Sequence, residues 1–399
     1  MRRLSICVAL YLIVFAISGA SSRTDPETGR VRVLYVGEVT ANDLYRLWLL
    51  GEPRFSVSYV TCDIQTMEMR DAKRMCRLYL PRTEEELFEG NDVTIFKDFT
   101  PDVLPLKSIG WFQSSIEKGM GIALIEFVFW GGTNDIHKWQ ALSFYEVFPA
   151  KPVINDIPAA AGRTFYDVAN EDGPLDLPGI ESVPMNGGHH GDMVPRQNTL
   201  VEANWRGRGT PAMVTSTYGK GNTLQLGHGW DNIPGSSRVD YRYMIDYIFN
   251  QLFYAADLPY PEDLEAVHSV RELFITYQTR KRATIGVLEF VDQFGADTGE
   301  IERQLGSIQD NYGEAVSAYM GSQYESARET LEGTLDDLTD LEADMLKAKE
   351  RALLWVYVVE WTAVTGTMMI CGFVVWSLMI RRRLYTEVET TRASKPGYR

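Results

Sequence analysis

The sequence predicts an α/β domain with a mainly parallel sheet, followed by a helical stalk and one transmembrane helix. Three observations carry this. In the first third of the chain, short runs of β-branched and aromatic residues alternate with helical patterns, as in a parallel sheet covered on both faces. From about Leu264 the apolar residues recur at helical spacing instead. Residues 361–380 carry no charge, and Arg381-Arg382-Arg383 follows at once.

The strand-like runs lie at 32–37, 55–61, 92–96 and 121–127, and each reads as a buried strand. Helices are expected at 43–50, around 67–80 and at 109–118. From Pro149 to about Arg208 the chain is crowded with Gly, Pro, Asn and Asp, which predicts a long structured loop region. Strands resume at 212–217 and 223–226, joined through the hairpin-like turn Tyr218-Gly219-Lys220-Gly221. A last helix at 241–254 is ended by Leu258-Pro259-Tyr260-Pro261. The α/β domain is thus expected over residues 31–257, and the helical stalk over 264–352.

Both ends point to a membrane. Met1-Arg2-Arg3, an apolar run at 4–17 and Ser18-Gly19-Ala20-Ser21-Ser22 have the order of a secretory signal peptide, expected over residues 1–20. The span is expected at 353–380, with Trp355, Tyr357 and Trp361 at its outer end and the arginines on the cytoplasmic side. The expectation is a single-pass cell-membrane protein with its large domain outside and residues 381–399 as a cytoplasmic tail. A net charge of −15 argues against nucleic acid, whose phosphates demand a basic face. Cys7 leaves with the signal and Cys371 lies in the span, so Cys62 and Cys76 remain outside. They could form a disulfide in an oxidising exterior, or be two buried thiols, because spacing does not set the distance between them.

In the stalk, Ile301, Leu305, Ile308, Tyr312, Ala315 and Tyr319 step by fours and threes, and Leu331, Leu335, Leu338, Leu341 and Met345 form a second seam. This predicts a helical hairpin or small bundle of coiled-coil character. Between Gly333 and Gly366 there is neither Gly nor Pro, so one unbroken helix is expected from near Tyr324 to Ile380. Thr362, Ala363, Gly366, Thr367 and Gly372 could let two spans approach. The expected partners are therefore the membrane and either a protein partner or a second copy, met through stalk and span.

At 110–152 the text Ser115-Ile116-Glu117-Lys118-Gly119-Met120-Gly121, then Gly131-Gly132 and Phe148-Pro149, resembles the class I glutamine amidotransferase-like superfamily. The run from Tyr218-Gly219-Lys220-Gly221 to Leu226-Gly227-His228 is similar to the trehalose-utilisation branch of that superfamily. The resemblance covers roughly residues 31–255 and implies a flavodoxin-like three-layer sandwich. It also implies a cysteine nucleophile in the turn after the strand at 121–127. Glu126, Phe127, Val128, Phe129 and Trp130 include neither Cys nor Ser, so glutaminase chemistry is not expected.

Other polar groups remain to be placed. His189-His190-Gly191-Asp192 has metal-binding residue types, but adjacent histidines rarely point at one ion, and an exposed loop is the simpler reading. Glu126, Trp130, His137, His228 and Asp231 could line a vestigial pocket beyond the carboxyl ends of the strands. No residue pattern calls for a cofactor or a metal. The expected function is a non-catalytic cell-surface binding or assembly module. The alternative is an extracytoplasmic hydrolase or isomerase using His228 with nearby carboxylates.

Overall fold

The computed structural model describes residues 24–39, 44–62, 66–97, 99–126, 136–152, 163–186, 192–230, 241–293 and 298–392. The signal-like segment therefore lies outside the described residues. The chain divides into two compact units, one running to Gln278 and adding Glu314–Leu331, the other comprising Thr279–Gly313 and Glu332–Arg399.

In the first unit, β1 (Val31–Gly37) pairs in parallel with β2 (Phe55–Thr61) and β3 (Val93–Lys97), and β3 with β4 (Gly121–Ile125). Side chains alternate across a strand. Val31, Val33 and Tyr35 of β1 therefore enter one apolar cluster, and Leu34 and Val36 another. Ala123 and Ile125 of β4 are split from Ile122 and Leu124 in the same way. Burial on both faces is why these runs are continuously apolar. β2 departs from the expected burial, since it is an edge strand and exposes Ser56 and Ser58.

α1 (Leu44–Gly51) covers the first face with Tyr45, Trp48 and Leu49. α2 (Met69–Tyr79) covers the second with Ala72 and Cys76. Cys62 and Cys76 are both thiols buried in this second cluster, which is the unbridged alternative of the sequence reading. α3 (Glu84–Gly90) was not foreseen, although Thr83-Glu84-Glu85-Glu86 has the form of a helix start. There the Glu86 amide donates to Thr83 Oγ1 at 3.0 Å, and the Glu86 carboxylate accepts from the Arg82 amide at 2.8 Å. α4 (Leu106–Lys118) buries Ile109, Phe112 and Ile116, and Trp139 of the short α5 (Ile136–Gln140) joins Phe144 and Phe148 in an aromatic group that packs with Phe96 and Phe99.

The stretch expected as loop holds β5 (Ala150–Pro152), β6 (Arg163–Thr164), β7 (Tyr166–Val168), β8 (Met185–Asn186), β9 (Met193–Pro195) and β10 (Leu200–Trp205). Together with β11 (Pro211–Tyr218) and β12 (Gly221–Leu226), two of them extend the main sheet, whose order is β2-β1-β3-β4-β12-β11-β10-β7. β12 joins β4 in parallel, and β11, β10 and β7 add antiparallel pairs. The sheet is thus mixed: its parallel part is as expected, and the antiparallel flank corrects the loop assignment. β10 was hidden because Glu202 and Asn204 interrupt its apolar pattern. Glu202 is nonetheless buried, bonded to Thr215 Oγ1 and to Asn170 Nδ2 at 2.8 Å, and burial raises its carboxyl above the ordinary range. The β11–β12 turn opens on Gly219 at φ +60°, with Tyr218 opposite Gly221, the two-residue hairpin geometry that needs Gly first.

α6 (Met244–Ala255) packs Ile245, Ile248, Phe249 and Leu252 on the first face. It also meets α7 (Leu264–Gln293) and α8 (Gly299–Met320) through a buried charged network within the first unit. Arg271 donates to Glu52 Oε2 at 2.8 Å and Asp246 Oδ1 at 2.5 Å, His268 Nδ1 donates to Asp246 Oδ2 at 2.6 Å, and Tyr319 donates to Glu52 at 3.0 Å. Burial raises the Asp246 carboxyl, but the His268 hydrogen bond and the Arg271 charge outweigh it and hold the group below its ordinary value.

In the second unit, Ile301 and Ile308 of α8 and Leu335, Leu338, Leu341 and Met345 of α9 (Tyr324–Arg392) are buried, as the seams predicted. Leu305 and Tyr312 are half-buried. Arg280 binds both carboxylate oxygens of Glu342, at 3.1 and 2.6 Å. α9 is unbroken over 69 residues, about 100 Å at the α-helical rise, and continues past Arg381-Arg382-Arg383 into the expected tail. Among the described residues it is the one helix long and apolar enough to cross a membrane. Its residues Trp355, Trp361, Met368, Ile370 and Phe373 are each at least 65 % exposed.

Candidate functional site

The carboxyl ends of β1, β3 and β4 lie side by side and carry three charged side chains. Gly37 ends β1 at φ +135°, and a Cβ there would stand 1.9 Å from the Lys97 carbonyl oxygen, so only glycine permits this close approach of β1 to β3. The Glu38 amide then donates to the same carbonyl at 3.0 Å. Lys97, the last residue of β3, is 1 % exposed; its Nζ lies 2.5 Å from Glu38 Oε2 and 3.9 Å from Glu126 Oε2. The Tyr45 ring lies 5.7 Å from the ammonium and packs edge-on against Trp230. Tyr35, whose hydroxyl donates to the Glu38 carbonyl at 2.8 Å, is pushed well above its ordinary pKa, chiefly by burial.

Glu126 directly follows β4, in the turn where the resemblance puts a nucleophile. It is 5 % exposed and adopts φ +64°, a conformation uncommon for a residue with a side chain. Such strain persists where surrounding structure enforces it, and it marks functional turns. At this position, then, a carboxylate on strained backbone faces a buried lysine.

His228 lies just beyond β12, and the register sets Leu226 against Ile125. The ring is 1 % exposed, packed on Tyr166 and Trp205. Its Nδ1 faces the Gly229 carbonyl at 2.6 Å, and since a carbonyl only accepts, this nitrogen carries the proton. Nε2 then accepts from the Tyr166 hydroxyl, which in turn takes a hydrogen bond from Tyr247 at 3.0 Å. Burial holds both tyrosines well above their ordinary pKa, so they stay neutral and donating. Both nitrogens are thereby engaged in a core network.

The five expected pocket residues thus have separate fates. Glu126 joins the Lys97 group, His228 enters the aromatic core and His137 is exposed on α5. Trp130 and Asp231 lie outside the described residues, as do His189 and His190. Sequence reasoning missed Lys97 and Glu38. The available signal was a lysine closing an otherwise apolar strand, since a buried lysine requires partners. Among the described residues no three His, Cys, Asp or Glu side chains gather as metal ligands would.

Fold and site together define an α/β domain with a mixed sheet, a charged trio built on a buried lysine at the carboxyl ends of its parallel strands, and one candidate membrane-spanning helix among the described residues. No protein-family model matches the chain, and no curated protein matches it. Solved structures similar to it include two cytoplasmic proteins of Salmonella typhimurium. The one from strain LT2 is 15 % identical over 56 % of this chain and 99 % of that one, with a TM-score of 0.45. The other has the same identity and coverage and a TM-score of 0.44. An exo-β-1,4-mannosidase from an Opitutaceae bacterium is 15 % identical over 62 % of this chain and 38 % of that one, with a TM-score of 0.34. The functional reading comes from the site's own residues.

Proposed function

We propose that this chain is a non-catalytic binding or assembly module, an amidotransferase-like domain of flavodoxin-like plan held at the cell surface by its C-terminal helix. The observation that carries this is the occupant of the nucleophile turn. Glu126 faces Lys97, which is 1 % exposed, and a carboxylate paired with a buried ammonium is a poor nucleophile towards an amide. His228, the natural proton acceptor, is held by Tyr166 and the Gly229 carbonyl. The parallel strand order β2-β1-β3-β4-β12 supports the flavodoxin-like reading.

The membrane reading rests on the uncharged stretch of α9 and the three arginines after it, which orient the α/β domain outward. Two experiments test the proposal. Purified full-length protein in mild detergent should release no ammonia from glutamine, and turnover abolished by thiol alkylation would sink the non-catalytic reading. Protease added to intact cells should remove the α/β domain and leave a small fragment containing residues 381–399; a protected domain would overturn the orientation.

A further inference from the structure

A cleft of about 430 Å³ opens on the second face of the first unit, and Glu38, Lys97 and Glu126 are not in its lining. It lies between α2, the segment joining β3 to α4, and α5. Its volume falls in the range of small-molecule sites. Lys73 and Arg77 enter it from α2 one helical turn apart. Neither has a hydrogen bond or ion pair to a described residue. Asp102 and Lys138 line the opposite side and pair with each other at 2.5 Å. Three cations against one carboxylate give this lining a positive charge, on a chain whose net charge is −15. α2 adds Arg70 and Arg74 to the local field and has a single acid, Asp71.

Two like charges at i and i+4 repel each other, and neither is paired with an acidic side chain among the described residues. An oxyanion between them would relieve the repulsion. Arg77 offers a planar fork of N–H donors and Lys73 a point charge, a combination suited to phosphate or carboxylate oxygens. The remaining lining is apolar: Val103, Leu104, Leu106, Ile109 and Leu142, with Leu106 82 % exposed. The volume exceeds that of a bare oxyanion, and an uncharged body would cover these residues.

We propose that this cleft binds a small molecule with a phosphate or carboxylate head held by Lys73 and Arg77 and a compact apolar body resting on Leu106 and Leu142. This extends the binding-module reading by naming a ligand class. Its failure leaves that reading standing, because the latter falls to ammonia release and not to loss of anion binding.

The test is calorimetric titration of the full chain in detergent, in a buffer without phosphate, using phenyl phosphate, benzoate and the neutral analogue phenol. Phenyl phosphate or benzoate should bind with Kd on the order of 1 mM, and the better of the two identifies the head group. Replacing both cations, Lys73→Gln with Arg77→Gln, should weaken binding roughly tenfold or more. Asp102→Asn should tighten it, since it removes the opposing carboxylate from the lining. This gain cannot arise from misfolding. Lys118→Gln, outside the cleft, serves as the control and should change nothing. Absence of binding by both anions, equal binding of phenol, or affinity unchanged in the double variant and in Asp102→Asn would each overturn the proposal.

Discussion

Replacing Arg271 with Met tests whether the buried charged network holds the helical segments on the α/β domain. Arg271, Glu52, Asp246 and His268 are each at most 2 % exposed, so removing the guanidinium leaves two carboxylates in the interior without their shared cation. Asp246 keeps His268, and Glu52 keeps Tyr319. Breaking a buried ion pair from one side costs about 3–5 kcal/mol, and these remaining partners place the expected loss at about 3 kcal/mol. That is a large share of the roughly 5–15 kcal/mol that holds a domain folded. By contrast Lys118→Ala, which breaks the exposed pair with Glu84, should cost no more than about 1 kcal/mol. Pulse proteolysis of the full chain across a urea series, read on the α/β domain, measures both. The Asp246 carboxyl is depressed in the folded state, so the stability it contributes is present above its unfolded pKa and is lost as pH falls through the lower folded value. Without Arg271 that loss should begin at higher pH. A urea midpoint for Arg271→Met no lower than that for Lys118→Ala would refute the reasoning.

Prolines at Leu346 and Lys349 should each break α9 locally, at about 3 kcal/mol or more, and lower the helical circular dichroism while the α/β domain keeps its proteolytic resistance. Gly37→Ala should destabilise the carboxyl end of the β1–β3 pair and expose Lys97 to amine-reactive label, because its Cβ collides with the Lys97 carbonyl. Unaltered labelling would show that β1 and β3 separate without cost. Cys62→Ser and Cys76→Ser should each destabilise the first unit by about 1–3 kcal/mol, read as a lower urea midpoint, through burial of a hydroxyl in an apolar cluster. Alkylation of both thiols only after unfolding would confirm their burial.

The parallel strands and the long helices were legible because their determinants are local. A strand buried on both faces must be apolar at every position, as Leu34 and Tyr35 are, and a helix seam must repeat as Leu331, Leu335 and Leu338 do. The apolar stretch of α9 is likewise a matter of composition. The antiparallel flank escaped because β7 is three residues long and Glu202 breaks the pattern of β10, and its pairing partners lie elsewhere in the chain. The candidate site was half visible. Glu126 could be named from its position after β4, but its φ of +64° and its closeness to Lys97 arise only once β3 and β4 lie side by side. The burial of His228 depends on Tyr166 and Trp205, 62 and 23 positions earlier in the chain. Arg271 is the clearest case, since nothing near it in sequence marks it as buried. Only tertiary packing brings Glu52, Asp246 and Tyr319 around its charge, and a buried guanidinium is tolerable only where such partners converge.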